Sequence, residues 1–378
     1  MNQLKYLFIL TLLFFSCGEE KKESLSVRSH TVMAELPAPV ENSDLIFEFE
    51  EIIRLRNSSE DVLSIDKVVE NESGFFVLDK RQNRLSLFDY SGDFIRSFGE
   101  MGSGPGEYGA IYDFFIIGDL VYIFSPSDLA LITYEVNSGD FKSKSQLKLF
   151  AQRIVPVSDH EILIYVSNNP SDSNFNVYLS DLKGNLLKEY FPFDPLRSNS
   201  IVSYTGFLVS GVDGQYYCEP FGDSIFKFDS SAKSFDQLFE LGFVSGEIKS
   251  DRENFEKYTG DYNLDPQNRV RFPGGNFLIN QEWMLLEMTF DSKVQYVLQD
   301  LKDTSHLYTL SRGVSNEFWR FVRNPLLLNS KNELLFPVDP ETFHNYDKEK
   351  SSQIMTEIFN NKETTEEDNF YLIRISIK

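Results

Sequence analysis

The feature that most constrains this chain is a cadence. Apolar, β-prone stretches recur around Phe75, Val121, Ile162, Tyr216, Met284 and Leu334. They are spaced at intervals of roughly 40 to 70 residues, and each reads as the second strand of a unit of short strands. The clearest unit runs from Gly74 to Gly106, GFFVLDKRQNRLSLFDYSGDFIRSFGEMGSGPG. Phe75–Leu78 is apolar, Arg84–Phe88 alternates through Leu85 and Leu87, and Phe94–Phe98 carries Phe94, Ile95 and Phe98. Asp79–Asn83 and Tyr90-Ser91-Gly92-Asp93 read as turns, with Gly92 free to adopt positive φ. Short strands joined in this way form an antiparallel meander. The third strand and its turn recur at Tyr134 to Gly139, Ser180 to Gly184 and Phe228 to Ser231. A four-stranded unit repeated about every 40–50 residues is a propeller blade.

Six such units predict a ring, and closing a ring removes the sheet edges that an open array would expose. The two long intervals have a reason in the sequence. Gly246 to Arg269 is polar and helix-like, and reads as an insertion between units four and five. Asp339 to Asn369 is a second insertion. Within it Ile354, Met355, Ile358 and Phe359 fall at helical spacing, which predicts a short helix packed on the body. Phe47 to Leu55 (FEFEEIIRL) is a strand without a unit, and Phe370 to Ile377 is a lone strand at the other end. Pairing the two would complete one blade. The expected fold is therefore all-β: a six-bladed β-propeller of four-stranded antiparallel blades over residues 45–378. Its last blade is closed by the N- and C-terminal strands, and it carries two helical or loop insertions.

Composition agrees. Thirty-five Phe and 18 Tyr suit the half-buried, pleated surface of sheets. A net charge of −22 repels phosphate backbones, so nucleic acid is not an expected partner. No Asp/Asn/Gly ladder of EF-hand spacing accompanies the acids. Residues 1–16, MNQLKYLFILTLLFFS, form a positive start at Lys5 and an apolar run from Leu7 to Phe15. That run is of signal-peptide length and is short for a membrane span, which needs about 20 apolar residues. Cys17 follows Ser16 where the run ends, so a bacterial lipoprotein signal is expected, with the Cys17 thiol carrying the lipid. Residues 17–44, starting GEEKK and including Pro37 and Pro39, read as a flexible tether. The expected address is the cell envelope, with the membrane engaged through the N-terminal lipid. Cys218, in an apolar stretch, is expected to be a buried and inert thiol.

The segment Asp79, Asn83-Arg84-Leu85, Phe88-Asp89, Gly92, Phe98-Gly99, Gly102-Ser103-Gly104-Pro105-Gly106-Glu107-Tyr108 resembles the NHL-repeat signature. It is more closely similar to the six-bladed β-propeller lipoproteins of Bacteroidetes, in which a Gly-Pro-Gly-Glu-Tyr loop follows the first blade. The resemblance implies a fold and an anchor, and it implies no reaction. The loop itself reads as a crossover between blades. A phosphate cradle needs a following helix N-terminus, whereas Glu107-Tyr108 leads into the strand-like Ile111–Ile117.

Chemistry is sparse. His30, His160, His306 and His344 are far apart and read as surface or turn residues; no zinc motif and no Gly-x-Ser-x-Gly elbow is present. No cofactor is expected. Residues just before innermost strands sit near the channel mouth of a propeller, which makes Tyr108 and Tyr204 candidate ligand contacts, with Arg271 and Trp283 near the fifth unit. Aromatics beside Arg suit stacking a sugar or gripping a peptide, and they equally suit packing between blades. The expected role is a binding or scaffold module for a protein, peptide or carbohydrate ligand. The alternative is a propeller enzyme, a metal-dependent hydrolase or lyase, with its site in the channel. A third reading makes the insertion at Gly246–Arg269 a contact within a larger assembly.

Overall fold

The computed structural model describes residues 31–33, 37–56, 62–167, 174–193, 207–219, 222–242, 271–290, 293–311, 317–322, 324–346, 352–361 and 369–378. They form six blades, each built on four antiparallel strands; five are meanders of consecutive strands and the last takes its outer strand from the N-terminal side. The six recurring apolar positions fall on the second strands, Gly74–Asp79, Leu120–Ser125, Glu161–Tyr165, Gly214–Cys218, Trp283–Phe290 and Glu333–Val338. The cadence therefore marks equivalent places in six blades of one ring. The first strands are Lys67–Asn71, Asp113–Ile117, Arg153–Pro156, Leu208–Gly211, Arg271–Ile279 and Leu327–Leu328. They are innermost, and those of blades 2 to 6 touch their neighbours in turn.

The last blade is assembled from both ends of the chain. Tyr371–Ile377 lies between Glu333–Val338 and Phe47–Arg54, with Phe47 opposite Ile377 and Arg54 opposite Tyr371. The pairing expected between the terminal strands is thus what closes the ring. One buried cation fastens the seam. Arg374 donates from Nε to Glu51 at 2.8 Å, to the Glu70 carboxylate at 3.0 and 3.2 Å, and to Glu333 at 3.1 Å. Glu51 is on the N-terminal strand, Glu70 on blade 1 and Glu333 on blade 6. Burial works against the Arg374 charge, but the hydrogen bonds and charge of Glu70 and Glu51 outweigh it and raise its pKa.

Successive side chains point to opposite faces of a strand, and the second strands are buried on both faces, as along Gly74–Asp79, because neighbouring blades cover both. The core is accordingly divided among blade interfaces. Phe76, Phe98 and Tyr134 belong to a cluster shared by blades 1 and 2, whereas Phe75, Leu335 and Leu372 join blades 1 and 6 across the seam. The turn between third and fourth strands repeats one device. The carboxylates of Asp89, Asp181, Asp229 and Asp300 accept the backbone N–H two residues on, at 2.8–2.9 Å. Gly92, Gly139 and Gly184 close the turns of blades 1 to 3 at φ of 83°, 78° and 83°, which glycine adopts without a Cβ penalty.

Among the described residues, three helices accompany the ring: α1 (Glu317–Phe321), α2 (Pro340–Asn345) and α3 (Gln353–Asn360). The last is the helix expected in the second insertion, with Ile354, Met355 and Ile358 buried. The insertion at Gly246–Arg269 lies outside the described residues, as do the signal segment and Cys17. Parts of the stretch read as a tether meet the ring. Thr31–Met33 adds a parallel fifth strand to the outer edge of blade 4, Val40 N–H donates to Thr309 O of blade 5 at 2.8 Å, and Ser43–Leu45 forms a 3-10 turn. The reason is the exposed edge of an outer strand, whose open N–H and C=O groups take a pairing segment.

Candidate functional site

The innermost strands of all six blades, or the residues just before them, line one cavity of about 450 Å³. This is the central channel. Its wall is mostly apolar, with Val68, Phe114, Ile154, Leu208, Phe277 and Leu327 contributing. The first three strands of every blade form the same meander, so every innermost strand starts at the same end of the channel. Lys67, Asp113 and Arg153 gather at that end, whereas Glu70, paired with Arg374, lines the wall further along.

Lys67, Asp113 and Arg153 open the innermost strands of blades 1, 2 and 3. The buried Asp113 accepts from Lys67 Nζ at 2.6 Å and from Arg153 at 3.2 Å through one oxygen, and from the Ile154 N–H at 2.8 Å through the other. Lys67 also donates to the Phe114 carbonyl at 2.6 Å. Burial by itself would raise the Asp113 carboxyl, but Lys67 and Arg153 hold it below its ordinary range. Burial lowers Lys67 to about 8 despite the attraction of Asp113, and Arg153 and Lys80 push it the same way. Lys80 stands beside them, its Nζ 4.3 Å from the centre of the Tyr112 ring. Its own pKa is lowered, first by burial.

On the far side, blade 5 departs from the regular pattern. Its innermost strand bulges between Pro273 and Phe277, with Gly275 at φ +99°. A side chain at Gly274 would run into Glu287. Glu287 is buried, lines the channel, and accepts from the Tyr296 hydroxyl at 3.2 Å and from Asn324 of blade 6 at 3.4 Å. Bulges of this kind re-aim the wall of a site.

Of the residues singled out from sequence, Tyr108 and Trp283 fall elsewhere. Tyr108 is buried between blades 1 and 2, its hydroxyl donating to Phe98 O at 3.2 Å. Trp283 is buried between blades 5 and 6, at the opposite end of its strand from the charged groups, with Tyr308 at 6.4 Å. Arg271 opens the long innermost strand of blade 5, opposite Phe290. Tyr204 lies outside the described residues. Tyr108 and Trp283 thus lie at two different blade interfaces. The residues that do converge carried a faint signal: a charge at the start of an innermost strand, as in Asp66-Lys67, Asp113 and Arg153, and the Pro273-Gly274-Gly275-Asn276 break.

The glycine-rich loop is a crossover. Glu100–Met101 pairs in parallel with Glu107–Tyr108, Glu107 accepts the Gly104 N–H at 2.7 Å, and the Tyr134 hydroxyl donates to Gly106 O at 2.7 Å. Its polar groups are spent on the loop itself. Cys218 is buried, and burial pushes its thiol up. Among the described residues, no three of His, Cys, Asp and Glu come together in a way that could hold a metal ion. Among the same residues, no helix is long and apolar enough to cross a membrane.

No curated protein matches the chain. Solved structures resemble it. BF0058 of Bacteroides fragilis, described as an inferred exported protein, superposes with a TM-score of 0.72 at 16% identity, covering 92% of this chain and 100% of that one. A DUF4221 member from Bacteroides vulgatus has a TM-score of 0.53 at 8% identity, covering 88% and 98%. At these identities the likeness is one of fold. The sequence itself goes further: residues 30–376 match the family described as "Domain of unknown function (DUF4934)", and the chain belongs to that family.

Proposed function

We propose that this chain is an extracytoplasmic, lipid-anchored binding module that takes its ligand in the central channel. The observation that carries the reading is the cavity itself. Contributions from six blades converge on a space of about 450 Å³, within the roughly 300–1,000 Å³ of small-molecule sites. Much of its wall is apolar, and the cations Lys67 and Arg153 sit at one end. That division suits a ligand with a polar head and a less polar body. Arg271 and Tyr204, next to innermost strands, remain candidate rim contacts, while Tyr108 and Trp283 serve packing.

Export is supported by the description of BF0058 and by the apolar run that ends at Cys17. The NHL-like character of the blades rests on the Asp79–Tyr108 signature. A Cys17→Ala variant is expected to leave the membrane fraction while the wild type stays in it; equal partitioning would remove the anchor. For the channel, Ser210 lines the cavity and is exposed. A Ser210→Trp side chain would fill it. Native mass spectrometry after incubation with an extract of small metabolites should show adducts on the wild type that the variant lacks. The same adducts on both proteins would rule out the channel as the site.

A further inference from the structure

We propose that the channel end between blades 1, 2 and 3 receives an anionic group of the ligand, a carboxylate or a phosphate monoester, on Lys67 and Arg153 with Lys80 behind them. This rests on the channel reading above and names the chemistry of the ligand's head. In a chain of net charge −22, three cations stand together at one mouth. Lys67 and Arg153 share a single oxygen of Asp113, at 2.6 and 3.2 Å. Lys80 adds a third cation close enough to act on Lys67. Asp66 is also near and attracts Lys80; its carboxylate accepts from Ser64 Oγ at 2.7 Å and from the Lys80 N–H at 2.8 Å.

The geometry leaves room for another acceptor. A lysine ammonium has three N–H donors, and Lys67 spends two of them, on Asp113 and on Phe114 O. Its side chain keeps 17% of its surface exposed, and the residue lines the cavity. An incoming anion would meet these cations in a site screened from water, where charge-assisted hydrogen bonds are strongest. The lowered Lys67 pKa agrees, since it reports positive charge that is buried and crowded.

A structural latch among three blades would have the same contacts, so the test must separate the two. Isothermal titration calorimetry at pH 7 would compare octyl phosphate and octanoate with octyl glucoside and octyltrimethylammonium. The wild type is expected to bind the anionic probes at least about tenfold tighter than the cationic one. Lys67→Met should abolish that preference while glucoside binding stays, and Lys67→Arg should keep it. Asp113→Asn removes the competing carboxylate and should tighten anion binding, a gain that a latch would not give. Preference for octyl phosphate or for octanoate would assign the head group. Equal affinity for anionic and cationic probes overturns the proposal, as does anion binding unchanged in Lys67→Met. If no probe of any charge binds the wild type, the channel reading falls and this inference falls with it.

Discussion

Two residues concentrate the consequences of this fold. Arg374 joins the N-terminal strand, blade 1 and blade 6 through three carboxylates. Removing the guanidinium leaves Glu70 and Glu333 facing each other with little water, each with 17% side-chain exposure. Breaking a buried ion pair from one side costs about 3–5 kcal/mol. Arg374→Met should therefore lower the unfolding free energy from urea titration by an amount in that range, and Arg374→Lys by less, because it keeps the charge and loses the fork. Lys67 governs pH dependence. Its ammonium is lost as pH rises through about 8, so anion affinity should fall between pH 7 and 9, which titrations at three pH values would show. For stability the sign is opposite. A lysine lowered from 10.5 disfavours the folded state while it is charged, so its penalty fades as pH climbs through about 8 toward the unfolded value.

At the scale of elements, α3 shows how a remote strap and a local signal cooperate. Ser352 caps the helix through Met355 N–H at 3.3 Å. Asp44, far off in sequence, accepts the Gln353 and Ile354 N–H groups at 2.7 and 3.0 Å. A carboxylate on free helical N–H groups stabilises by about 1 kcal/mol. Asp44→Ala should lower the thermal midpoint by a few degrees, measured by circular dichroism, without altering the sheets. The helix itself was legible because Ile354, Met355 and Ile358 mark one face. The blade turns were legible because Asp and Gly recur at fixed offsets. Helix α1 was not, since five residues are too few to show a period. The channel site was legible only in fragments. Lys67, Asp113 and Arg153 are ordinary charged residues opening three strands, each some 40 residues from the next. Their meeting depends on the ring, which no local pattern states. Tyr108 drew notice by preceding a strand, yet the innermost strand of blade 2 starts later, at Asp113, and the intervening chain buries the tyrosine.

For the molecule as a whole, stability rests on six interfaces and one seam. The seam can be locked. Glu48 and Ser376 lie directly opposite each other across the terminal strands, and the buried Cys218 offers no competing exposed thiol. Cysteines placed at both positions should oxidise to a disulfide that closes nearly the whole chain. The expected gain is about 3–5 kcal/mol for a loop of this length, read as a rise in urea midpoint that reductant reverses. No change between oxidised and reduced protein would mean that the seam is not where unfolding begins.

The seam also sets a clock. The strand at Phe47–Arg54 leaves the ribosome early, and its partner at Tyr371–Ile377 comes more than three hundred residues later. At translation rates of about 5–20 residues per second, the first strand waits roughly tens of seconds for the second. Blades 1 to 5 can form in sequence during that interval, but the sixth cannot, and until it does the neighbouring faces of blades 1 and 5 stay open. For the export proposed above, such a delay would keep the chain threadable until the last strand has been made.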